Sequence, residues 1–214
     1  MNANYEMILH DLRRLRMAPV KPDVFGAESH RFRVNPPLTD EEVRGFERNH
    51  QFVLPPDYRA FITLVGNGGA GPYYGVFKLG EMDNGNNDAP WKENDGFVGT
   101  LSKPFPHTTP WNDLTGEPAY DEANEDEYEK QMDFFERNYF NPGMVNGAVP
   151  ICHLGCSLRQ WLVVTGPEAG NIWCDDRVDH KGLYPLQQVD AKRVSFIRWY
   201  RAWLDEALSR LEDK

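Results

Sequence analysis

Three short apolar stretches in the second half of the chain have the spacing of hairpin strands: residues 149–153, 161–165 and 171–175. Each contains aromatic or β-branched residues and is bounded by glycine or polar residues, a pattern typical of strands. A five-residue segment with Gly166 and Gly170 at its ends joins the second stretch to the third, which suits a hairpin loop. Because these strands follow one another without helices between them, the sequence predicts an α+β fold with an antiparallel sheet and helices packed against it.

Helix signals lie on both sides of this region. Thr39 is followed three residues later by Glu42, which predicts a capping box at the start of a helix. Pro56 opens the next predicted helix, and Gly66 is predicted to end it in a left-handed conformation. Residues 73–79 are predicted to form a further strand. Apolar stripes at helical spacing predict three more helices, marked near the N-terminus by Tyr5, Ile8, Leu9, Leu12 and Leu15, in the middle by Tyr128, Met132, Phe135 and Tyr139, and near the C-terminus by Phe196, Trp199, Tyr200, Trp203, Leu204, Ala207, Leu208 and Leu211.

The composition changes over residues 80–124, where glycine, asparagine, aspartate and proline replace the periodic apolar pattern. Connections of this length are uncommon in a compact domain and are usually functional or mobile. The stretch leads into the middle helix, predicted over about residues 126–139. We therefore expect a single domain over residues 1–214, with an N-terminal helix and connector at residues 1–37 and a long loop and helix insertion within the core at residues 80–146.

The chain is acidic, with 33 Asp and Glu against 23 Lys and Arg among 214 residues. Surfaces that bind nucleic acid are basic, so this balance argues against direct nucleic-acid binding and favours basic partners. The three cysteines are few and odd in number, which suits a reducing compartment. The first residues lack the pattern of a signal peptide, and no run of 18 apolar residues occurs. The sequence therefore predicts a cytoplasmic protein without a membrane partner.

An aspartate-rich segment next to the third predicted strand is the most enzyme-like cluster. It contains Asp175, Asp176, Asp179 and His180, and carboxylates at a strand end can hold Mg²⁺ and position water. Aspartate also builds turns, and Arg177 can neutralise a neighbouring carboxylate. No second acidic cluster has the spacing that would complete a two-metal site. The segment leaves two interpretations open, a metal-assisted hydrolase and a structural turn.

Two further patterns are candidates for chemistry. Cys152, His153, Cys156 and Cys174 carry donor types that bind zinc, and Cys156 with His153 could form a nucleophilic pair. Cys152 and His153 are adjacent in a predicted strand and should point to opposite faces, which leaves three ligands. Residues 66–71 match the spacing G-x-G-x-x-G but follow a helix and precede a strand, the reverse of a phosphate-binding loop. We therefore expect no metal, no cofactor and no catalytic residue.

Acidic residues are concentrated just before and within the start of the middle helix. Their charge suits the first turn of a helix, whose dipole favours anions, and it also suits docking to a basic partner. The preceding stretch offers Trp91, Phe105, Trp111 and Tyr120 as candidate exposed aromatic anchors. The sequence therefore predicts a partner-binding surface composed of Asp121, Glu122, Glu125, Asp126, Glu127, Glu129 and Trp111.

Several motifs, taken in order, resemble those of the SUKH superfamily, the SMI/KNR-type domain. Each piece is a cap, a turn or a core aromatic, and their order and spacing carry the resemblance. It runs from about residue 38 to residue 208 and is interrupted by residues 80–146. The motifs are LTDEE at residues 38–42, LPPDYRAF at 54–61, NGGAGP at 67–72, HLGC at 153–156, WLVVTG at 161–166, GNIW at 170–173, SFIRWY at 195–200 and WL at 203–204.

The resemblance implies an α+β fold and a role in protein binding. Many bacterial members of the superfamily are non-catalytic immunity proteins that neutralise polymorphic or contact-dependent toxins, often nucleases, and fungal relatives are regulatory interaction proteins. We expect a member of the bacterial immunity-protein branch whose partner is a cognate basic toxin. The alternatives are a metal-assisted hydrolase at residues 175–180 and a regulatory or scaffold protein.

Overall fold

A computed structural model describes residues 3–83, 88–187 and 192–212 of the chain. In the described residues the helices come mainly before and after the larger sheet, and the four strands of that sheet follow one another in the sequence with no α-helix between them. The predicted α+β class is confirmed. Within the described residues the elements are the helices α1 (Ala3–Met17), α2 (Ala27–His30), α3 (Asp40–His50), α4 (Pro56–Leu64), α5 (Glu125–Tyr139) and α6 (Phe196–Glu212), and the strands β1 (Glu81–Asp83), β2 (Asp88–Pro90), β3 (Ala148–Gly155), β4 (Leu158–Val163), β5 (Ile172–Asp176) and β6 (Gly182–Pro185).

The four-stranded sheet is antiparallel throughout, in the order β3-β4-β5-β6. Trp161 at its centre pairs with Pro150 on one side and with Trp173 on the other. The predicted loop between β4 and β5 forms, and the Gly170 N–H donates to the Val163 carbonyl at 2.8 Å. All five residues of β5 are buried, so both faces of the sheet are covered at this strand.

The helices before the sheet begin where their capping signals lie. In α3 the Glu42 N–H donates to Thr39 Oγ1 at 3.2 Å, and the Thr39 N–H donates to Glu42 Oε2 at 2.7 Å, so the predicted capping box is confirmed. In α4, Tyr58, Phe61 and Ile62 form the buried stripe. Asp57, in the first turn of α4, also accepts the Ile197 N–H at 3.1 Å and thereby satisfies a free donor at the start of α6.

Helix α6 is the central packing element between the other helices and the sheet. Phe61 of α4 lies 4.6 Å from Tyr200 between ring centroids, and Asp11 of α1 forms an ion pair with Arg201 at 3.0 Å. On the sheet side, Trp199 Nε1 donates to Gln160 Oε1 at 3.0 Å. The predicted stripe of α6 is buried at Phe196, Trp199, Tyr200, Trp203, Leu204 and Ala207 and half-buried at Leu208 and Leu211.

Two local predictions between α4 and the sheet are wrong. Gly66 is not left-handed, since the positive φ values fall on Gly68 and Gly69; a Cβ at Gly66 would instead lie 2.5 Å from the Asn35 carbonyl oxygen. Residues 73–79 do not form a strand, because left-handed φ values at Tyr73 and Gly75 interrupt the extended backbone. This segment makes one bridge, from Val76 to Gly69, and the Phe77 N–H donates to Ile151 of β3.

Three strands and one residue of α1 also differ from the sequence expectations. The short strands β1 and β2 pair with each other within the stretch that carries no periodic pattern. Strand β6 pairs with β5 and was not predicted. Leu9 of the predicted α1 stripe is exposed. No helix in the described part of the chain is long and apolar enough to cross a membrane.

Candidate functional site

The acidic residues around the start of α5 are all exposed to solvent. Asp121 organises the segment: its carboxylate accepts the Ala123 N–H at 3.0 Å and the Asn124 side-chain amide at 2.9 Å. These two bonds fix the single-turn 3₁₀ helix Glu122–Asn124 in front of α5. We use the name acidic surface for the exposed residues Asp121, Glu122, Glu125, Asp126, Glu127 and Glu129.

Hydrogen bonds and the helix dipole favour negative charge at the acidic surface. Hydrogen bonds from the Asn124 side chain and the Ala123 backbone hold the pKa of Asp121 below its ordinary value. Glu125, Asp126 and Glu127 occupy the first turn of α5, where the positive end of the helix dipole favours anions. The acidic residues are therefore concentrated where the local backbone favours negative charge.

Helix α5 is attached to the rest of the molecule through its C-terminal half. Phe135 and Tyr139 are its buried residues, and the Tyr139 carbonyl accepts a hydrogen bond from Arg177 Nη1 at 3.1 Å. No described residue between 125 and 134 is buried. The acidic first turns of the helix therefore lie on the surface and contribute little to the core.

Trp111 supports α5 and is separate from the acidic surface. Its half-buried ring stacks between His107 and Tyr139, at centroid distances of 5.3 and 5.4 Å, and its backbone pairs with Leu183 of β6. Tyr139 is the last residue of α5, whereas the acidic residues surround its start. A helix of this length spans about 20 Å, so the structure does not bring Trp111 together with the acidic surface.

The other candidate aromatic anchors differ in exposure. Phe105 is buried against Trp173 with ring centroids 4.8 Å apart, so its prediction as an exposed anchor is wrong. Trp91 is half-buried and packs edge-on against Phe46. Tyr120 is 65% exposed and is the one anchor of the four that is mostly exposed beside the acidic residues; its ring packs edge-on against Tyr128, with centroids 5.1 Å apart.

Sequence reasoning missed an apolar groove of about 400 Å³ beside the C-terminal half of α5. The guanidinium of Arg159 lies 4.8 Å from the centre of the Phe97 ring, and that of Arg177 lies 5.4 Å from the centre of the Phe140 ring. The lining residues come from loops, strands and a helix end and share no periodicity, so no sequence pattern signals them. We call it the α5 groove; it is lined by Phe97, Glu136, Arg137, Phe140, Ser157, Arg159, Asp175, Arg177 and Val178.

Asp175, the first member of the aspartate-rich cluster, is engaged in a buried ion pair. Arg177 Nε donates to its Oδ1 at 2.8 Å, and Arg177 Nη2 donates to its Oδ2 at 2.7 Å. Trp161 Nε1 donates to the same Oδ2 at 3.1 Å. The interpretation that Arg177 neutralises a neighbouring carboxylate is confirmed, and both oxygens of Asp175 serve the fold.

The remaining members of that cluster point to different partners. Asp176 accepts a hydrogen bond from the Tyr184 hydroxyl, and burial together with this carboxylate raises the pKa of Tyr184. His180 Nδ1 lies 3.1 Å from Glu117, and Asp179 lies 3.4 Å from Lys181. Among the described residues no group of three or more His, Cys, Asp or Glu is arranged to hold a metal ion.

The cysteines do not converge on a reactive centre either. Cys152 and Cys174 are buried, and Cys156 is exposed in the turn after β3. Burial raises the pKa of Cys152 well above its ordinary value and that of Cys174 to about 12, so both thiols stay protonated. A neutral buried thiol behaves as a small apolar group, since only the thiolate is a strong nucleophile or metal ligand.

The glycine-rich loop at residues 66–71 connects α4 to the sheet and serves packing. A Cβ at Gly68 would lie 2.6 Å from the Val76 carbonyl oxygen, and one at Gly69 would lie 2.5 Å from the Arg33 carbonyl oxygen. The loop follows a helix and opens no helix of its own. It therefore lacks the helix N-terminus to which a dinucleotide phosphate binds.

Together these features define an α+β domain with an exposed acidic surface and an apolar groove, in which the aspartate-rich cluster at the end of β5 is engaged in structural pairs. Comparison with family models assigns this domain. The SMI1 / KNR4 family (SUKH-1) model matches residues 37–185, and the chain belongs to that family. Comparisons with curated proteins and with solved structures found no significant match.

Proposed function

We propose that this chain is a non-catalytic immunity protein of the cytoplasm that binds a basic protein toxin and neutralises it. Membership of the SUKH-1 family is consistent with an immunity-type protein. The observation that carries the proposal is the acidic surface, six exposed carboxylates on a segment that is not needed for the core.

Electrostatics supports a basic protein as the partner. The chain has 33 acidic against 23 basic residues, and α5 alone carries six acidic residues against two basic ones. Such a surface raises the association rate with a cationic partner and repels polyanions such as nucleic acid. A toxin that uses cationic groups to hold a nucleic-acid substrate would present such a surface, and covering it would block the substrate.

The engagement of the chemically suggestive residues supports a non-catalytic role. Both oxygens of Asp175 accept hydrogen bonds from Arg177, and the buried cysteines remain protonated. These groups stabilise the fold, so the proposed activity lies in binding.

Co-expression with the reading frame immediately upstream in the source genome tests the proposal. We expect growth rescue and a stoichiometric complex whose association slows as salt increases, because exposed charge pairs are screened by ions. A harmless neighbour, or a toxic one that neither copurifies nor is rescued, contradicts the immunity role.

A set of charge reversals tests the acidic surface. Changing Glu125, Asp126, Glu127 and Glu129 together to Lys should weaken the complex and remove most of its salt dependence. The matched control changes four exposed acidic residues elsewhere to Lys and alters the net charge equally: Glu6, Asp23, Glu28 and Glu206. Equal effects of the two variants would show that net charge and not the acidic surface determines binding.

A further inference from the structure

We infer that the α5 groove receives an apolar side chain from a basic segment of the protein partner. This inference rests on the proposed function and adds to it a second contact region, at the opposite end of α5 from the acidic surface. Its support comes from the rigidity of the groove, its exposed apolar rim and the charge along the helix that forms its wall.

The floor of the groove is held in place before any partner arrives. Arg159 donates to the carboxylate of Asp83 through Nε and Nη2 at 3.2 and 3.0 Å. Arg177 likewise donates to the carboxylate of Asp175 through Nε and Nη2, so both pairs are bidentate. Both arginines are almost completely buried. Because each guanidinium is neutralised by its own carboxylate, the floor presents the flat faces of paired groups and no free charge.

The rim of the groove exposes apolar side chains. Phe97 is 45% exposed and Val178 is 38% exposed, and both line the groove. Large apolar groups on one patch of surface are typical of contact sites, and a volume of about 400 Å³ lies in the range of roughly 300–1,000 Å³ that is usual for ligand pockets.

Charge along α5 indicates the character of the segment that approaches the groove. Glu129, Asp133 and Glu136 follow one another at helical spacings of four and three and lead to Phe140 at the groove. A partner segment that crosses this row meets carboxylates first and then the groove, where Glu136 and Arg137 lie beside the apolar side chains. The complementary segment therefore carries Lys or Arg flanking an apolar or aromatic side chain.

The binding test compares the wild type with two groove variants, using the product of the upstream reading frame as the probe. Val178→Gln places a polar group on the rim, and Phe97→Ala removes its largest exposed ring. Both residues are exposed, so both variants should fold, which thermal unfolding checks.

We expect each substitution to raise the dissociation constant about tenfold or more, as the loss of an anchor contact does, without changing the salt dependence of association. Val20→Gln, at a residue that is 58% exposed, is the matched control and should leave the dissociation constant unchanged.

The outcomes separate the groove from the proposed function. If the charge reversals on the acidic surface weaken the complex while Val178→Gln and Phe97→Ala bind as the wild type does, the groove inference is wrong and the immunity role stands. A groove variant that loses salt dependence as well as affinity would mean that the effect is electrostatic, which also overturns an apolar anchor. If the wild type forms no complex with the probe, both proposals fail.

Discussion

At the scale of single residues, Arg177 illustrates how the aspartate-rich segment differs from a metal site. Its side chain is 2% exposed, and its donors are directed to Asp175 and to the carbonyl of Tyr139. Arg177 therefore joins the end of β5 to the end of α5 through these two contacts. A buried charge whose partner is removed is strongly unfavourable, because neither water nor another group replaces the lost interaction.

The first prediction at this scale concerns that ion pair. Asp175→Ala leaves the buried Arg177 without its carboxylate and should lower the free energy of unfolding by about 3–5 kcal/mol. Urea denaturation measures the change. Asp179→Ala, at an exposed residue of the same segment, is the control and should change it by no more than about 0.5 kcal/mol. A variant at Asp175 as stable as the wild type would show that the pair contributes no net stability.

At the scale of secondary-structure elements, α6 determines how the other elements pack. It contacts α1 and α4 on one side and reaches β4 through the hydrogen bond from Trp199 to Gln160. Trp203 is 7% exposed and lies 5.3 Å from Tyr200 between ring centroids. Loss of a side chain from this stripe therefore disturbs contacts among several elements at once.

Trp203→Ala should lower the free energy of unfolding by about 3–5 kcal/mol, the usual cost of truncating a large core aromatic. The measurement is thermal or chemical unfolding followed by circular dichroism. Ser209→Ala, on the exposed face of the same helix, controls for effects of substitution in α6. Melting of the Trp203 variant near that of the wild type would show that this part of the stripe is not core.

Elements with strong local signals could be predicted from the sequence, and those fixed by distant contacts could not. The capping box at Thr39 depends on residues three apart, and it forms as predicted. Strand β6 has four residues and depends on pairing with β5 and with Trp111, which is far away in the sequence. Residues 73–79 have strand-like side chains, but the left-handed turn at Tyr73 and Gly75 overrides them.

The candidate site divides in the same way. The charge of the acidic surface is a property of consecutive residues, so the sequence alone indicated where it lies. The α5 groove combines Phe97, Phe140 and Val178 with side chains of β4 and β5, and only the folded chain brings these together. The position of Trp111 likewise depends on its stacking on Tyr139, which is distant in the sequence, so it could not be predicted from the neighbouring residues.

At the scale of the whole molecule, buried histidines couple stability to pH. His30 is 8% exposed, and its Nδ1 accepts the Phe32 N–H at 3.1 Å. Burial lowers the pKa of His30 to about 4, against smaller opposing effects of the Gly71 backbone and Glu28. Burial also lowers the pKa of His107. Both side chains are therefore neutral in the folded state at pH values where the unfolded chain is protonated.

The free energy of unfolding should fall as the pH drops from about 6.5 to about 4, because in this range the unfolded state binds protons that the folded state does not. His30 alone accounts for about 3 kcal/mol of this loss. Urea denaturation at several pH values measures it. His30→Asn keeps an acceptor for the Phe32 N–H and should show a shallower pH dependence; an unchanged dependence would contradict the assignment to His30.

The attachment of α5 through Phe135 and Tyr139 has an evolutionary consequence. Over residues 125–134 no side chain is buried, and Tyr128 packs edge-on against Tyr120. Apart from Tyr128 and the half-buried Met132, this stretch is therefore free to diverge at little cost in stability. The positions that maintain the fold and the positions available for recognition are largely different residues. A chain built in this way can acquire a new binding preference through a few surface changes while its architecture is inherited intact.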